Sequence, residues 1–372
     1  MTSAFTALDK QMMLRALALA ERGRYTTSPN PRVGCVIAHG DHIVGEGTHY
    51  RAGEPHAEVF ALRQAAAKAE GATAYVTLEP CSHYGLTPPC AEALIKAKVD
   101  RVVCAMVDPN PQVSGRGLRM LEAAGIATQS GLFEAEALAL NPGFIKKMTQ
   151  NRPFVQLKLA ASLDGKTALA NGESKWITSA AARQDVQSLR AQADAILSTS
   201  GTVLADDPQL NVRWEQLAPS IQAQYPQADL RQPIKVIVDR HQRVTSAHRC
   251  TQQGEVRIAS QAENPHWRDH PHTSWLALQD DSIESVLAAL SRADLNQVFV
   301  EAGARFAGEL LAAKAVDELI LYLAPKLMGG DSRSLIGALN LSAMSDVVDL
   351  EIKDLRMVGK DIRIIATPVY SD

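Results

Sequence analysis

The 372-residue chain carries 41 acidic and 38 basic residues, a net charge of −3, and 46% hydrophobic residues with few aromatics. That length exceeds one ordinary core and fits two domains; the composition is that of globular protein, and the balanced charge removes any electrostatic ground for broad binding to nucleic acid or anionic membranes, leaving a local anion site open. Five cysteines are odd and sparse for a stapled secreted fold, and no stretch reaches the roughly 18 apolar residues of a membrane span, so a cytoplasmic chain without export signal or anchor is predicted.

From the N-terminus, Met12, Met13, Ala16, Leu17 and Ala20 recur at helical spacing within 9–23, which stops at Gly23. VGCVIA and HIVGEG read as two strands around the turn-prone HGD at 39–41. A helix over 56–71, a strand at AYVTL, a helix over 88–98, a strand at RVVCAMV and a helix around 115–125 follow. This alternation predicts an α/β sandwich with largely parallel central strands. In NPGFIKKMTQNRPF, Pro142, Gly143 and Pro153 bracket a short basic segment, which is read as the boundary between a domain at 1–150 and another at 151–372. The second half restarts with the strand FVQLKLA, then a helix over 179–192, the strands DAILS and IKVIVD, and QVFVEAG running into a helical FAGELLAA. A second α/β domain is predicted, with loops at 215–233 and 261–275 and no internal repeat.

His56 and Glu58 open a helix behind Gly53 and Pro55, so both can face a cleft from its first turn. Leu78-Glu79-Pro80-Cys81 ends a strand, and Cys90 starts the next helix behind Pro88 and Pro89, with Thr87 as its cap. One imidazole and two thiolates make a three-ligand zinc set whose fourth position stays open, the mark of a catalytic site; helix N-termini favour the thiolates. Glu58, not needed as a ligand, can take a proton from water at that position and deliver it to a leaving amine. H-x-E followed by P-C-x-x-C is the pattern of zinc nucleobase deaminases; here eight residues separate the cysteines instead of two. Taken singly, each residue reads as a cleft histidine or a small buried cysteine; order, helix placement and the preceding proline together favour one zinc ion per chain. His83 would close the site as a fourth ligand, and is assigned to substrate contact.

HAEVFAL, LEPCSHYGLTPPC, VDPNPQVSGRG and the upstream TSPNPRVGCVI resemble the deaminase half of the bifunctional riboflavin-biosynthesis deaminase–reductases, and the resemblance spans nearly the whole chain. It implies an N-terminal cytidine-deaminase-like α/β/α sandwich that deaminates a diamino-ribosylamino-pyrimidinone 5′-phosphate. It further implies that Asn30, His49, His83, Asp108 and Asn110 hold the pyrimidine and its sugar phosphate; amide, imidazole and carboxylate groups suit a ring edge and hydroxyls. Asn30 and Asn110 both precede proline, so turn chemistry is an equal reading of each. Leu86 stands where the family often has a basic residue after SHYG.

KLAASLDGKTA, GESKWIT, LRAQADAILSTSGTVLADDPQLNVR and VFVEAGARFAGELL resemble the family's reductase half, related in fold to dihydrofolate reductase and using NADPH to reduce the ribose to a ribityl chain. The last motif runs a buried strand into Glu301-Ala302-Gly303 and a helix that presents free N–H groups to an anion, although no G-x-G-x-x-G string occurs and such glycines are also common for steric reasons. The resemblance implies that Ala160, Trp176, Thr202 and Asp206 lie along NADPH with the segment Gly303, Ala304, Arg305, Phe306, Ala307, Gly308 and Glu309. It places Ser174, Arg190, Leu210, Arg213 and Glu301 on the phosphorylated sugar, where arginine suits a phosphate. By residue type alone, Arg190 reads as a solvated helix position and Trp176 as a core aromatic. Lys158 and Asp164 are open between structural and catalytic roles, and Arg240 stands where the family tends to have serine.

The expected function is therefore zinc-dependent deamination followed by NADPH-dependent reduction of a small phosphorylated pyrimidine, with no nucleic-acid or membrane partner and a homo-oligomer left open. The enzymatic alternative is a deaminase of a base in tRNA or DNA with an accessory binding domain, against which stand the charge balance and the lack of a basic, aromatic-interleaved stripe. A zinc-stabilised binding module is disfavoured by the open coordination position beside Glu58.

Overall fold

The computed structural model describes residues 4–84, 88–111 and 113–370, so the expectations for Leu86 and Thr87 lie outside the described residues. The chain divides into two compact units, Met1–Asn151 and Arg152–Asp372.

In the first unit, α1 (Ala7–Ala20) starts at a capping box in which Thr6 and Asp9 satisfy each other's backbone N–H. The strands β1 (Gly34–His39) and β2 (His42–Thr48) form an antiparallel hairpin. After α2 (Ala57–Ala65) come β3 (Thr73–Val76), α3 (Cys90–Lys96), β4 (Arg101–Cys104), α4 (Arg116–Ala123), β5 (Ala127–Ser130), α5 (Glu134–Leu140) and α6 (Pro142–Gln150). The sheet order is β2-β1-β3-β4-β5. β3, β4 and β5 run parallel, whereas β1 is antiparallel to both neighbours, so the sheet is mixed rather than largely parallel.

Glycines set the layers. A Cβ at Gly34 would come 2.0 Å from the Ala16 carbonyl oxygen of α1, and one at Gly47 would come 1.9 Å from that of Ala57 in α2. Gly47 pairs with Cys35, one residue along from Gly34, so the two glycines point to opposite faces. α1 and α2 therefore cover opposite faces at backbone contact, giving an α/β/α sandwich. The helix expected over 56–71 ends its α-helical part at Ala65 and continues as a 3-10 turn to Ala69. The basic segment read as a boundary is itself a helix, α6, with Pro142 in its first turn.

The second unit contains β6 (Phe154–Ser162), β7 (Lys166–Ala168), α7 (Ala180–Gln192), β8 (Ala195–Thr199), α8 (Ser200–Asp206), α9 (Pro219–Gln222), β9 (Ile234–Val238), β10 (Val256–Ser260) and β11 (Thr273–Ala277). It continues with α10 (Ile283–Arg292), β12 (Gln297–Val300), α11 (Ala304–Ala312), β13 (Glu318–Ala324), β14 (Arg333–Ser334), β15 (Asp349–Val358) and β16 (Asp361–Val369). Nine strands form one sheet, β11-β10-β9-β8-β12-β6-β13-β16-β15. It is parallel from β11 to β13 and closes with an antiparallel β16-β15 edge. Residues 273–275, expected in a loop, begin β11, where Thr273 pairs with Val256. β12 lies between β6 and β8, so strand order reverses there and leaves a crevice at the carboxyl ends of the strands. Among the described residues no helix is long and apolar enough to cross a membrane.

Candidate active sites

Two helix starts and one strand end bring three donors together in the first unit. His56 is the N-cap residue of α2 yet makes no side-chain cap, so its imidazole turns elsewhere. Its Nδ1 lies 3.2 Å from Cys90 Sγ and 3.6 Å from Cys81 Sγ, and the three donor atoms fall within 4.8 Å of one another. Tetrahedral zinc bonds of about 2.3 Å to sulfur and 2.0–2.1 Å to nitrogen place such atoms roughly 3.5–3.8 Å apart. The set therefore fits zinc with one position open, and no second cluster of three such side chains occurs among the described residues. The Cys81 thiol is held well below its ordinary value, chiefly by hydrogen bonding from Cys90 and then from His56, while the same pairing and burial push Cys90 up. The Cys90 backbone N–H also donates to Cys81 Sγ at 3.3 Å.

Glu58, in the first turn of α2, is buried, and its Oε2 has no hydrogen-bond partner. Burial, followed by the Cys81 charge, raises its pKa to about 7. A buried carboxyl with an unused oxygen beside a three-donor metal set is the arrangement a proton shuttle requires. His49 is buried, edge-on to His56 with ring centroids 5.4 Å apart, and within 3.1 Å of both Asn30 Nδ2 and the Pro55 carbonyl oxygen. Burial lowers the His49 pKa.

Asp108 is buried and pushed up to about 6 by that burial, within electrostatic reach of His83 and Cys81. Its Oδ1 accepts the Asn110 amide at 2.8 Å, and the Asn110 carbonyl accepts from Val113 and Ser114, so the Asn110 backbone does build a turn. His83 is exposed and lies outside the donor cluster. The sequence reading missed Glu79. This buried carboxylate accepts the backbone N–H groups of Asp108, Gly115 and Gly117 at 3.1, 2.8 and 2.8 Å, holding the Asp108 loop against the Cys81 strand end. The available signal was an acid placed directly before Pro80-Cys81 at a strand end.

In the second unit a cavity of about 1440 Å³ occupies the crevice where strand order reverses. Its wall includes Ala160, Ser174, Trp176, Arg190, Thr202 and Asp206, then Leu210, Arg213, Glu301 and the start of α11 from Gly303 to Phe306 with Glu309. Ala307 and Gly308 are not part of that wall. Ala307 belongs to the buried core, and a Cβ at Gly308 would press on the Gly337 backbone at 3.3 Å, because these positions fall on the packed face of the helix.

The α11 N-terminus has no side-chain cap, and a Cβ at Gly303, whose φ is −75°, would meet nothing within 4 Å. Neither steric crowding nor backbone conformation requires glycine there. Open space over free helix N–H groups fits a dinucleotide phosphate. Arg190 is no solvated helix residue: its Nε and Nη2 donate to the two Glu301 oxygens at 2.6 and 3.1 Å, and its Nη1 to the Asn211 carbonyl. Trp176 is 66% exposed, with the Arg183 guanidinium 4.4 Å over its ring, so it is no core aromatic. Lys158 lines the cavity, its pKa lowered by burial against the opposing pull of Glu301. Asp164 lies off the wall and anchors a loop by accepting the Met328 and Gly329 amides. Arg240 lines the cavity and pairs with Glu309 at 3.0 Å.

Comparison with known proteins divides the chain in the same two parts. Residues 6–106 match the family described as the cytidine and deoxycytidylate deaminase zinc-binding region, and residues 153–364 match the RibD C-terminal domain. The riboflavin biosynthesis protein RibD of Escherichia coli is 54% identical over 95% of this chain and 98% of its own length. The RibD of Bacillus amyloliquefaciens is 41% identical over 97% and 96%. Among solved structures, Acinetobacter baumannii RibD superposes with a TM-score of 0.91 at 44% identity, covering 97% of this chain and 99% of that one. A Thermotoga maritima diaminohydroxyphosphoribosylaminopyrimidine deaminase/5-amino-6-(5-phosphoribosylamino)uracil reductase does so with a TM-score of 0.85 at 33% identity, covering 97% and 99%.

Proposed function

The chain belongs to the RibD family of riboflavin-biosynthesis proteins, and from that premise we propose how its two units divide the work of a bifunctional deaminase and reductase. Residues 1–150 deaminate the diamino-pyrimidinone phosphate that gives the Thermotoga relative its name, and residues 151–372 reduce the ribose of the resulting uracil to the ribityl form. The observation that carries the first assignment is the His56, Cys81 and Cys90 cluster beside the buried, unpartnered Glu58 oxygen.

Zinc on these three donors supplies a Lewis acid that makes water nucleophilic at neutral pH. Glu58 takes the proton released on attack and returns it to the departing amine, so ammonia leaves as a neutral molecule. Asn30, His49, His83, Asp108 and Asn110 orient the ring and its sugar. Their support is the grouping of Asn30 and His49 next to His56 and the electrostatic coupling of Asp108 to His83. In the second unit the cavity would hold NADPH, which when bound would supply the hydride for the ribose carbon. The bare α11 N-terminus and Gly303 receive a phosphate of the cofactor, while Ser174, Arg190, Leu210, Arg213 and Glu301 hold the phosphorylated sugar at the cavity wall.

A cytoplasmic setting accords with five free cysteines among the described residues. Self-association accords with the outermost strand β15, which exposes Leu350, Ile352, Leu355 and Met357 along a sheet edge. The test of function is to incubate purified, zinc-loaded protein with the diamino-pyrimidinone phosphate, with and without NADPH, and resolve products by mass. The amine-to-oxo product should form alone without NADPH, and the ribityl product should follow with it. Absence of the first product from folded, zinc-loaded protein would overturn the assignment.

A further inference from the structure

Trp176 stands on the wall of the second unit's cavity, 66% exposed, yet it is held at both its backbone and its ring. Its carbonyl oxygen accepts from Lys326 Nζ at 2.7 Å, in the segment that follows β13. The Arg183 guanidinium, near the start of α7, lies 4.4 Å from the indole centroid and covers one face of it. Arg183 is fixed in turn. Its Nη1 donates to the Thr178 carbonyl oxygen at 2.8 Å, and the N-cap Ser179, whose Oγ accepts the Ala182 amide, donates its own amide to buried Asp361 at 2.7 Å. Among the described residues no carboxylate pairs with Arg183, so the π face of Trp176 is the negative surface its charge meets. An isolated exposed tryptophan is ordinary; one whose backbone and ring are each tied to a different element is not free to turn away from the cavity.

We infer that Arg183 is a positioning residue: by stacking on one face of Trp176 it keeps the opposite face open to the cavity as a platform for a flat ring of the dinucleotide. This rests on the reading of Trp176 as a cofactor contact, and adds the residue that keeps the indole in place before NADPH arrives. An indole already ordered loses no further rotamer freedom when the ring lands on it, so affinity rises without any contact between Arg183 and the cofactor. The chemistry also separates Arg183 from a phosphate reader. A guanidinium meeting the phosphates would favour NADPH, with its extra phosphate, over NADH; one acting through the indole favours both alike.

The full, zinc-loaded chain tests this with Arg183→Ala, Arg183→Lys, Trp176→Ala and the double alanine variant, the unfolding temperature being measured for each. Without cofactor, Trp176 emission is the difference between a protein and its Trp176→Ala counterpart. Arg183→Ala should open that emission to acrylamide quenching, and Arg183→Lys should restore most of the protection. In titrations of nucleotide fluorescence, Arg183→Ala should raise the Kd for NADPH by about 3- to 10-fold, and that for NADH by the same factor. Arg183→Lys, which keeps a cation over the ring, should stay within about twofold of wild type. The double variant should bind no worse than Trp176→Ala by more than about twofold, because Arg183 has nothing left to hold. Multiplying losses, or a loss confined to NADPH, would place Arg183 on the cofactor itself and overturn the inference, as would unchanged quenching or unchanged affinity in Arg183→Ala. If Arg183→Ala does not fold, Arg183→Gln, which keeps a donor for Thr178 and removes the charge, takes its place with the same outcomes. Trp176→Ala alone tests the underlying assignment: wild-type affinity there would remove Trp176 from the cofactor site, whereas weakened binding with Arg183→Ala unaffected sinks the positioning role and leaves the assignment standing.

Discussion

Glu79 and Gly117 are joined by a single hydrogen bond, from Gly117 N–H to Glu79 Oε1 at 2.8 Å, and that bond fastens the strand end carrying Cys81 to the start of α4. A Cβ at Gly117 would stand 2.1 Å from the Pro80 carbonyl oxygen, one residue from the ligand. Gly117→Ala should therefore displace Pro80, lower stability by about 1–3 kcal/mol as overpacked sites do, and weaken zinc retention. Glu79→Gln keeps the shape but replaces one acceptor oxygen by an N–H₂ that faces backbone donors, and leaving a buried donor unsatisfied should cost about 1–3 kcal/mol. Thermal unfolding with parallel metal analysis reads both; an alanine variant as stable and as zinc-loaded as wild type would refute the packing argument.

The zinc site makes the next prediction. Among the described residues His56, Cys81 and Cys90 are the one cluster with metal-binding geometry, so purified protein should carry one zinc per chain. Cys90→Ser should lose it, since a hydroxyl does not replace a thiolate in this donor set. A full equivalent of zinc in that variant, or two equivalents in the wild type, counts against the assignment.

Much of this was legible in the sequence because it is local. His56 and Cys90 sit at helix starts that proline, glycine and hydrophobic periodicity announce, Cys81 follows a strand, and α1, the β1-β2 hairpin and α7 follow from spacing alone. What escaped is built over long range. Glu79 matters because backbone 29–38 residues further on returns to it. Arg190 read as a solvated position because its partner Glu301 is 111 residues away. β5 was missed because ATQS carries no apolar alternation, its place at the sheet edge leaving it half-exposed. The β15 strand of the β15-β16 hairpin was missed because its alternation is broken: a register shift between Ile352 and Asp354 puts Leu350 and Ile352 out of step with Leu355 and Met357.

At Gly303 the cavity allows a clean separation of binding from folding. The residue has an ordinary φ of −75°, and an added methyl would touch nothing in the protein. Gly303→Ala should leave thermal stability unchanged. A phosphate lying on the bare α11 N-terminus would meet that methyl, so NADPH affinity should fall by about tenfold, the size of one lost anion contact. Titration of NADPH fluorescence measures this directly. Unchanged affinity would move the phosphate site elsewhere.

Asp9 predicts an acid limb of stability. Burial alone would raise its pKa, but Arg101 at 2.7 Å, the Thr6 amide and the Tyr75 hydroxyl outweigh it and hold the carboxyl well below its ordinary value of 3.8. The unfolded chain therefore binds the proton more readily than the folded one. The stabilisation is fully present above about pH 4 and is lost as pH falls through that value toward the lower folded one. Asp9→Asn should be less stable than wild type at pH 6, and the gap should narrow steadily below pH 4. Unfolding temperatures that run parallel for the two proteins across that range would contradict the pairing.

The sharpest prediction concerns Glu58. Glutamine at this position keeps the side chain's size and can still hydrogen-bond a water beside the metal, but it cannot accept a proton and give it back near neutral pH. Positioned general acid–base groups contribute on the order of 10²- to 10⁴-fold, so Glu58→Gln should abolish deamination well above assay noise. The substitution should not remove zinc, because Glu58 is not among the three donors. The residues proposed above to serve reduction, Arg190 and Glu301 among them, line a cavity in the other unit, so the variant supplied with the deaminated ribosylamino-uracil phosphate and NADPH should run close to the wild-type rate. Both activities are to be followed in the same folded, zinc-loaded preparation. Equal collapse of the two would mean either that the chemistries are coupled or that Glu58 is not the proton carrier, and zinc content together with substrate binding separates those cases: a coupled pair retains both, whereas a variant that binds neither has lost the site itself.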